Sequence, residues 1–182
     1  ADPATIYANI TSIVLRLQAI DDDLFQRNGE RIAVGTTGTI TERLCEYGLK
    51  AAVPNCYRKL STDWKWIGDF YVQGSPFNTI ITVKSFKAKE RLLSSGTGNL
   101  LSPTIGFGLF NDVREWSVSR LTSYLFRAFF VIYLPEQLLN VLSDDSLNVK
   151  NINGRPFLRS LPEFVTDLQD ALSGDVIDPR KL

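Results

Sequence analysis

A mixed α/β domain, with helices packed on a sheet, is the fold class this sequence predicts, and three observations carry it. Apolar residues recur at helical spacing near both ends of the chain. In the middle the period gives way to β-branched and aromatic runs bounded by turn residues. One run, residues 128–134, is apolar without interruption, as a strand covered on both faces requires. With 182 residues and 44% of them hydrophobic, the chain suits one domain over residues 1–182. A domain of this length holds together without a disulfide or structural metal.

The elements follow in order. Ile6, Ile10, Ile13, Val14, Leu17 and Ala19 share one helical face and predict a helix over residues 4–19. Asp21-Asp22-Asp23 then reads as an acidic turn. Residues 35–39 read as a Gly/Thr loop, with Thr39 or Thr41 as N-cap of a second helix over residues 40–49. Glu42 and Glu46, four apart, share a face of that helix. Residues 66–72 and 79–84 predict two strands of a hairpin, joined through Gly74-Ser75-Pro76. A helix over residues 87–93 and a polar loop over 94–99 come next. An amphipathic helix over 112–125, a buried strand over 128–133 and a short helix over 135–142 follow. The last helix spans 161–172, opened by Pro162 and closed at Gly174.

Composition excludes several chemistries. No histidine is present, which removes Ser-His-Asp and Cys-His catalysis and His-ligated metals. Cys45 and Cys56 are too few for an all-thiolate zinc site; they are either two buried reduced thiols or, in an oxidising compartment, a disulfide. Twenty basic residues balance twenty acidic ones, so contact with nucleic acid must come from local clusters. No apolar run is long enough to span a membrane, and no secretion signal follows Ala1-Asp2-Pro3. Gly96-x-Gly98 lacks the Lys-Ser/Thr of a P-loop and follows a helix, so no nucleotide cofactor is expected.

The hairpin carries the chemistry. With the turn centred between Ser75 and Pro76, Asp69 is expected opposite Thr82, and Lys84 on the same face. A carboxylate, a hydroxyl and an ammonium would converge there, with Glu42 or Glu46 approaching from the preceding helix. Such a group holds a hard divalent cation through oxygen and leaves a lysine beside the water to be activated. For Glu42 and Glu46 an ordinary solvated helix face is the competing reading. Lys84, Lys87, Lys89 and Arg91, offset only by Glu90, either neutralise phosphates or extend into water. Ser94, Ser95, Thr97 and Asn99 offer small polar contacts for DNA, with Arg114, Ser117, Ser119 and Arg120 as second-rank candidates. Trp64, Trp66 and Trp116 read as core or interface in preference to base-stacking platforms.

Asp69 in Ile67-Gly68-Asp69-Phe70, followed on the next strand by Ile81-Thr82-Val83-Lys84-Ser85-Phe86-Lys87, resembles the PD-(D/E)xK nuclease pattern, most closely that of type II restriction endonucleases. The run from Val83 to Leu92 is similar to the strand-to-helix passage after the catalytic lysine, and Glu42 to the glutamate of the upstream helix. The resemblance covers residues 36–135, and its motifs are short. It implies a restriction-endonuclease-like mixed sheet flanked by helices and Mg²⁺-dependent cleavage of double-stranded DNA at a short specific site, leaving 5′-phosphate ends. By it Asp69 and the Val83 carbonyl hold the metal, Lys84 activates water, Thr82 contributes weakly and Glu42 supports the metal or Lys84. Thr82 departs from the pattern, which has an acid there. A family variant, an acid relocated to Glu42, Glu46, Asp63 or Glu90, and an inactivating substitution all account for it. The implied assembly is a homodimer, and the implied setting the prokaryotic cytoplasm. The rival readings are a junction or repair nuclease and a catalytically inactive DNA-binding domain of the same fold.

Overall fold

A computed structural model describes residues 2–31, 34–85 and 102–182. Its centre is a mixed sheet of six described strands: β1 (Tyr57–Lys59), β2 (Phe70–Val72), β3 (Thr79–Lys84), β4 (Thr104–Gly108), β5 (Phe129–Leu134) and β6 (Leu158–Ser160). They lie side by side in chain order. β1, β2 and β3 form an antiparallel meander, whereas β3 to β6 run parallel. Parallel neighbours need crossovers. Helices α4 (Val118–Leu125), α5 (Glu136–Leu139) and α6 (Asp144–Leu147) lie in two of these. The expected helix over 87–93 and loop over 94–99 lie outside the described residues.

Strand alternation divides the core in two. Ile81, Val83, Ile105, Phe107, Val131 and Tyr133 face helices α1 (Pro3–Ala8), α3 (Val34–Ala52) and α7 (Glu163–Ala171). Ile132, Leu134 and Leu158 face the other way, onto Trp116, Leu121, Tyr124 and Leu138. β5 is therefore buried along its whole length, as its unbroken apolar run predicts. On the first side Tyr7 donates from its hydroxyl to the Leu44 carbonyl at 2.6 Å. Gly48 makes that approach possible, because a Cβ there would strike the Tyr7 hydroxyl and lie 3.1 Å from the Phe164 ring.

Two expectations about local structure are corrected. The acidic triplet is not a turn: α2 (Ile10–Asn28) runs through it, after a break from α1 at Asn9. Arg31 binds Asp21 at 2.7 Å and Asp22 at 3.0 Å, and Arg27 binds Asp23 one turn away, which relieves the repulsion that favoured a turn. The helix ends instead at left-handed Gly29, φ 71°. Nor do residues 35–39 form a loop, since α3 already begins at Val34. There Thr41 is buried and donates its hydroxyl to the Thr37 carbonyl at 2.8 Å; packing outweighs the poor helix propensity of glycine and threonine. Cys45 and Cys56 are buried, free thiols.

Candidate functional site

The hairpin forms in the expected register: Phe70 lies opposite Ile81, Tyr71 opposite Ile80 and Val72 opposite Thr79. Asp69 sits one residue before β2, where the ladder changes. Its N–H donates to the Ile81 carbonyl at 2.8 Å, one residue out of step with that register. A one-residue slip exchanges the faces of a strand. The Asp69 carboxylate accordingly turns toward α3, where its charge raises the pKa of the Cys45 thiol, second only to the effect of burial. Thr82 leaves on the other face, away from Ile81 and Val83. It is fully buried beside Gly68 and pairs with Gly106, and its hydroxyl has no hydrogen-bond partner among the described residues. The shared face expected for Asp69, Thr82 and Lys84 does not form, because Lys84 alternates with Val83 and leaves β3 on the Thr82 side.

Asp69 is itself buried and doubly bound. One oxygen, Oδ2, accepts the Val83 N–H at 2.7 Å, capping a backbone donor that β2 is too short to reach. The other, Oδ1, accepts from the Lys65 ammonium at 2.9 Å. Lys65 follows the short 3₁₀ turn Thr62–Trp64, four residues before Asp69, and donates also to Glu42 Oε1 on α3 at 2.7 Å. The second oxygen of Glu42 faces Lys59 of β1 at 3.1 Å. Lys59, Glu42, Lys65 and Asp69 thus form an alternating chain of two cations and two anions, anchored on β1, α3, the turn and the head of β2. Partial burial disfavours charge on Glu42, but the bonds from Lys65 and Lys59 outweigh it and hold its pKa below the ordinary value. Burial opposes charge on Lys65 as well, yet Glu42 and Asp69 raise its pKa.

The sequence reading paired Asp69 with Glu42 but missed Lys65. Its signal was the spacing: Lys65 and Asp69 are four apart across a turn between two tryptophans. Glu46 lies elsewhere on the helix, 3.6 Å from Lys50. Lys84 ends β3 half-buried, opposite Gly108 of β4, and its carbonyl accepts the Leu109 N–H at 3.3 Å. Lys87, Lys89, Arg91, Ser94, Ser95, Thr97 and Asn99 lie outside the described residues. Arg114 is paired with Asp112 at 2.9 Å, and Arg120 borders shallow clefts with Ser117 and Ser119. Trp116 is core, as expected, whereas Trp64 and Trp66 are 53% and 61% exposed and stack on one another beside Lys65.

Among the described residues, no group of three or more His, Cys, Asp or Glu side chains is placed to hold a metal ion. The oxygen donors of Asp69 and Glu42 nevertheless suit magnesium, which takes one or two carboxylates and keeps several waters. The Val83 carbonyl points to the same side of β3 as its N–H, toward Asp69. The donor chemistry fits; the Lys65 ammonium is the group an ion would have to displace. No helix among the described residues is long and apolar enough to cross a membrane. Comparison with protein-family models, curated proteins and solved structures finds no match to this chain.

Proposed function

We propose that this chain is a magnesium-dependent endonuclease that hydrolyses double-stranded DNA at a short specific site, on a restriction-endonuclease-like fold. The observation that supports the reading best is the Asp69 carboxylate fixed on the Val83 N–H, at the C-terminal end of the strand that finishes in Lys84, and joined through Lys65 to Glu42 of α3. The mixed sheet, with helices on both faces and Asp69 and Lys84 on consecutive antiparallel strands, agrees with it.

In this reading Asp69 and the Val83 carbonyl would hold the ion, with Glu42 supporting it through water. The ion would lower the pKa of a bound water and offset charge on the scissile phosphate. Asp69 is oriented by the Val83 N–H, so its free lone pairs need no reorganisation. Glu42 fixes Lys65 and Lys59 along one rim, where their ammonium groups supply positive charge for a phosphate backbone. Lys84, the last residue of β3, leaves that strand on the Thr82 face and would orient the attacking water only by reaching round the strand end; the ammonium in contact with Asp69 is that of Lys65. Exposed Trp64 and Trp66 flank Lys65 and offer π faces to nucleic acid.

The test is incubation with plasmid DNA, with and without Mg²⁺, for the native protein, Asp69→Asn and Lys84→Ala. Discrete magnesium-dependent fragments, lost in both variants, are expected. Cleavage that survives Asp69→Asn overturns the assignment. A second reading is favoured by Thr82, whose neutral buried hydroxyl stands where the pattern has an acid: a DNA-binding domain without catalysis. Equal DNA binding with and without Mg²⁺, and no cutting, would select it.

A further inference from the structure

We infer that α2 is a self-association surface, on which a second copy of this chain docks its own α2 antiparallel across a two-fold axis. α2 is 19 residues long, about 28 Å, yet among the described elements its main contact is with α1. A helix of that length gains little stability in water without an apolar partner. Five of its apolar residues fall in steps of three and four: Ile10, Ile13, Leu17, Ile20 and Leu24; Val14, Leu15, Ala19 and Phe25 lie off that line. That is the a/d spacing of a heptad seam. Among the described residues Ile10 is the one member of the seam in the buried core, packed with Tyr7. Ile13 and Ile20 are 37% and 52% exposed, and Leu17 and Leu24 are half-buried.

Charge and sterics select the occupant. Arg16 and Asp23, both exposed, lie along one flank of the seam, a heptad apart; Asp23 gives one oxygen to Arg27 and keeps the other for a partner. In an antiparallel pair that stacks Leu17 on the partner's Ile20, Arg16 meets the partner's Asp23, and the axis repeats the contact in reverse. The helix is thus complementary to itself. Because Ile10 is embedded in the domain, a parallel partner would bring a second domain against the same end of the helix. The antiparallel arrangement puts the two bodies at opposite ends.

The inference is independent of the nuclease reading, because its test measures mass without DNA. In light scattering after size exclusion at micromolar concentration, the native chain is expected at twice its monomer mass. Ile13→Asp with Ile20→Asp, at exposed positions, is expected to halve that mass and leave the circular dichroism spectrum unchanged. Arg16→Asp and Asp23→Arg are each expected to weaken the dimer roughly tenfold, and the double exchange to restore it. A native monomer, a dimer that survives the Ile13/Ile20 variant, or failure of the double exchange to restore it overturns the inference. So does rescue of Arg16→Asp by Asp21→Arg instead, the signature of a parallel pair.

Discussion

Lys65 binds Asp69 at 2.9 Å and holds it to a helix that the sheet alone does not reach, because the same ammonium lies 2.7 Å from Glu42 on α3. The bridge joins the turn before β2 to the helix above it. It also sets the local charge balance: neutral with both lysines in place, net negative once either is removed.

Lys65→Met is therefore expected to destabilise the fold by about 1–3 kcal/mol, the cost of leaving a buried acceptor without its charged donor. Urea denaturation measures this. The same variant is expected to bind Mg²⁺ roughly tenfold more tightly, about 1.4 kcal/mol, in calorimetry, since the ion no longer competes with the ammonium. Unchanged affinity would separate Lys65 from the metal-binding role of Asp69.

Asp69→Ala and Asp69→Asn should differ. An asparagine keeps an oxygen for the Val83 N–H, whereas alanine leaves that buried donor without a partner. The alanine variant is expected to be the less stable by about 1–3 kcal/mol. Equal midpoints in urea would mean that water replaces the carboxylate.

The charge chain has a pH signature at both ends. The pKa of Glu42 is lowered in the folded protein, so its stabilisation is present above the ordinary carboxylate value of about 4.3 and lost as pH falls through the lower folded one. That of Lys65 is raised, so its stabilisation is present below the ordinary value of about 10.4 and lost as pH rises through the higher folded one. From this network stability is expected to be flat between roughly pH 5 and 10. In Lys65→Met the alkaline loss disappears, which urea midpoints across pH would record.

Trp64 and Trp66 provide an optical test. Both are exposed, whereas Trp116 is 1% exposed and serves as an internal reference. Duplex DNA is expected to quench the emission of the native protein and to leave that of the Trp64→Ala/Trp66→Ala double variant unchanged. Equal affinity for DNA in both proteins would leave the pair without a nucleic-acid role.

Gly108→Ala tests the end of β3. A Cβ at that position would lie 2.5 Å from the Lys84 carbonyl and would crowd the Phe110 ring. The backbone cannot swing aside as a side chain does, so a loss of about 1–3 kcal/mol is expected in thermal unfolding.

Periodicity alone identified the buried strand β5, the hairpin, its register and the C-terminal helix. These features rest on local rules: β5 is apolar at every residue because both its faces are covered, and the turn at residues 74–76 leaves one pairing that keeps Phe70 and Ile81 inside. The short strands β1, β4 and β6 were not legible. Each has only three to five residues, two of β4's being glycine, and takes its conformation from its neighbours. Asp69 and Glu42 stood out as residue types in a pattern, but where they point did not. That depends on a single hydrogen bond one residue out of step, Asp69 to Ile81, which turns the carboxylate toward α3 and leaves Thr82 on the opposite side. A slip of this kind changes no residue and no spacing, so only the three-dimensional pairing reveals it. Lys65 belongs to the same class: a polar residue of a turn, whose partners are four and twenty-three positions away and meet only when β2 and α3 are packed together.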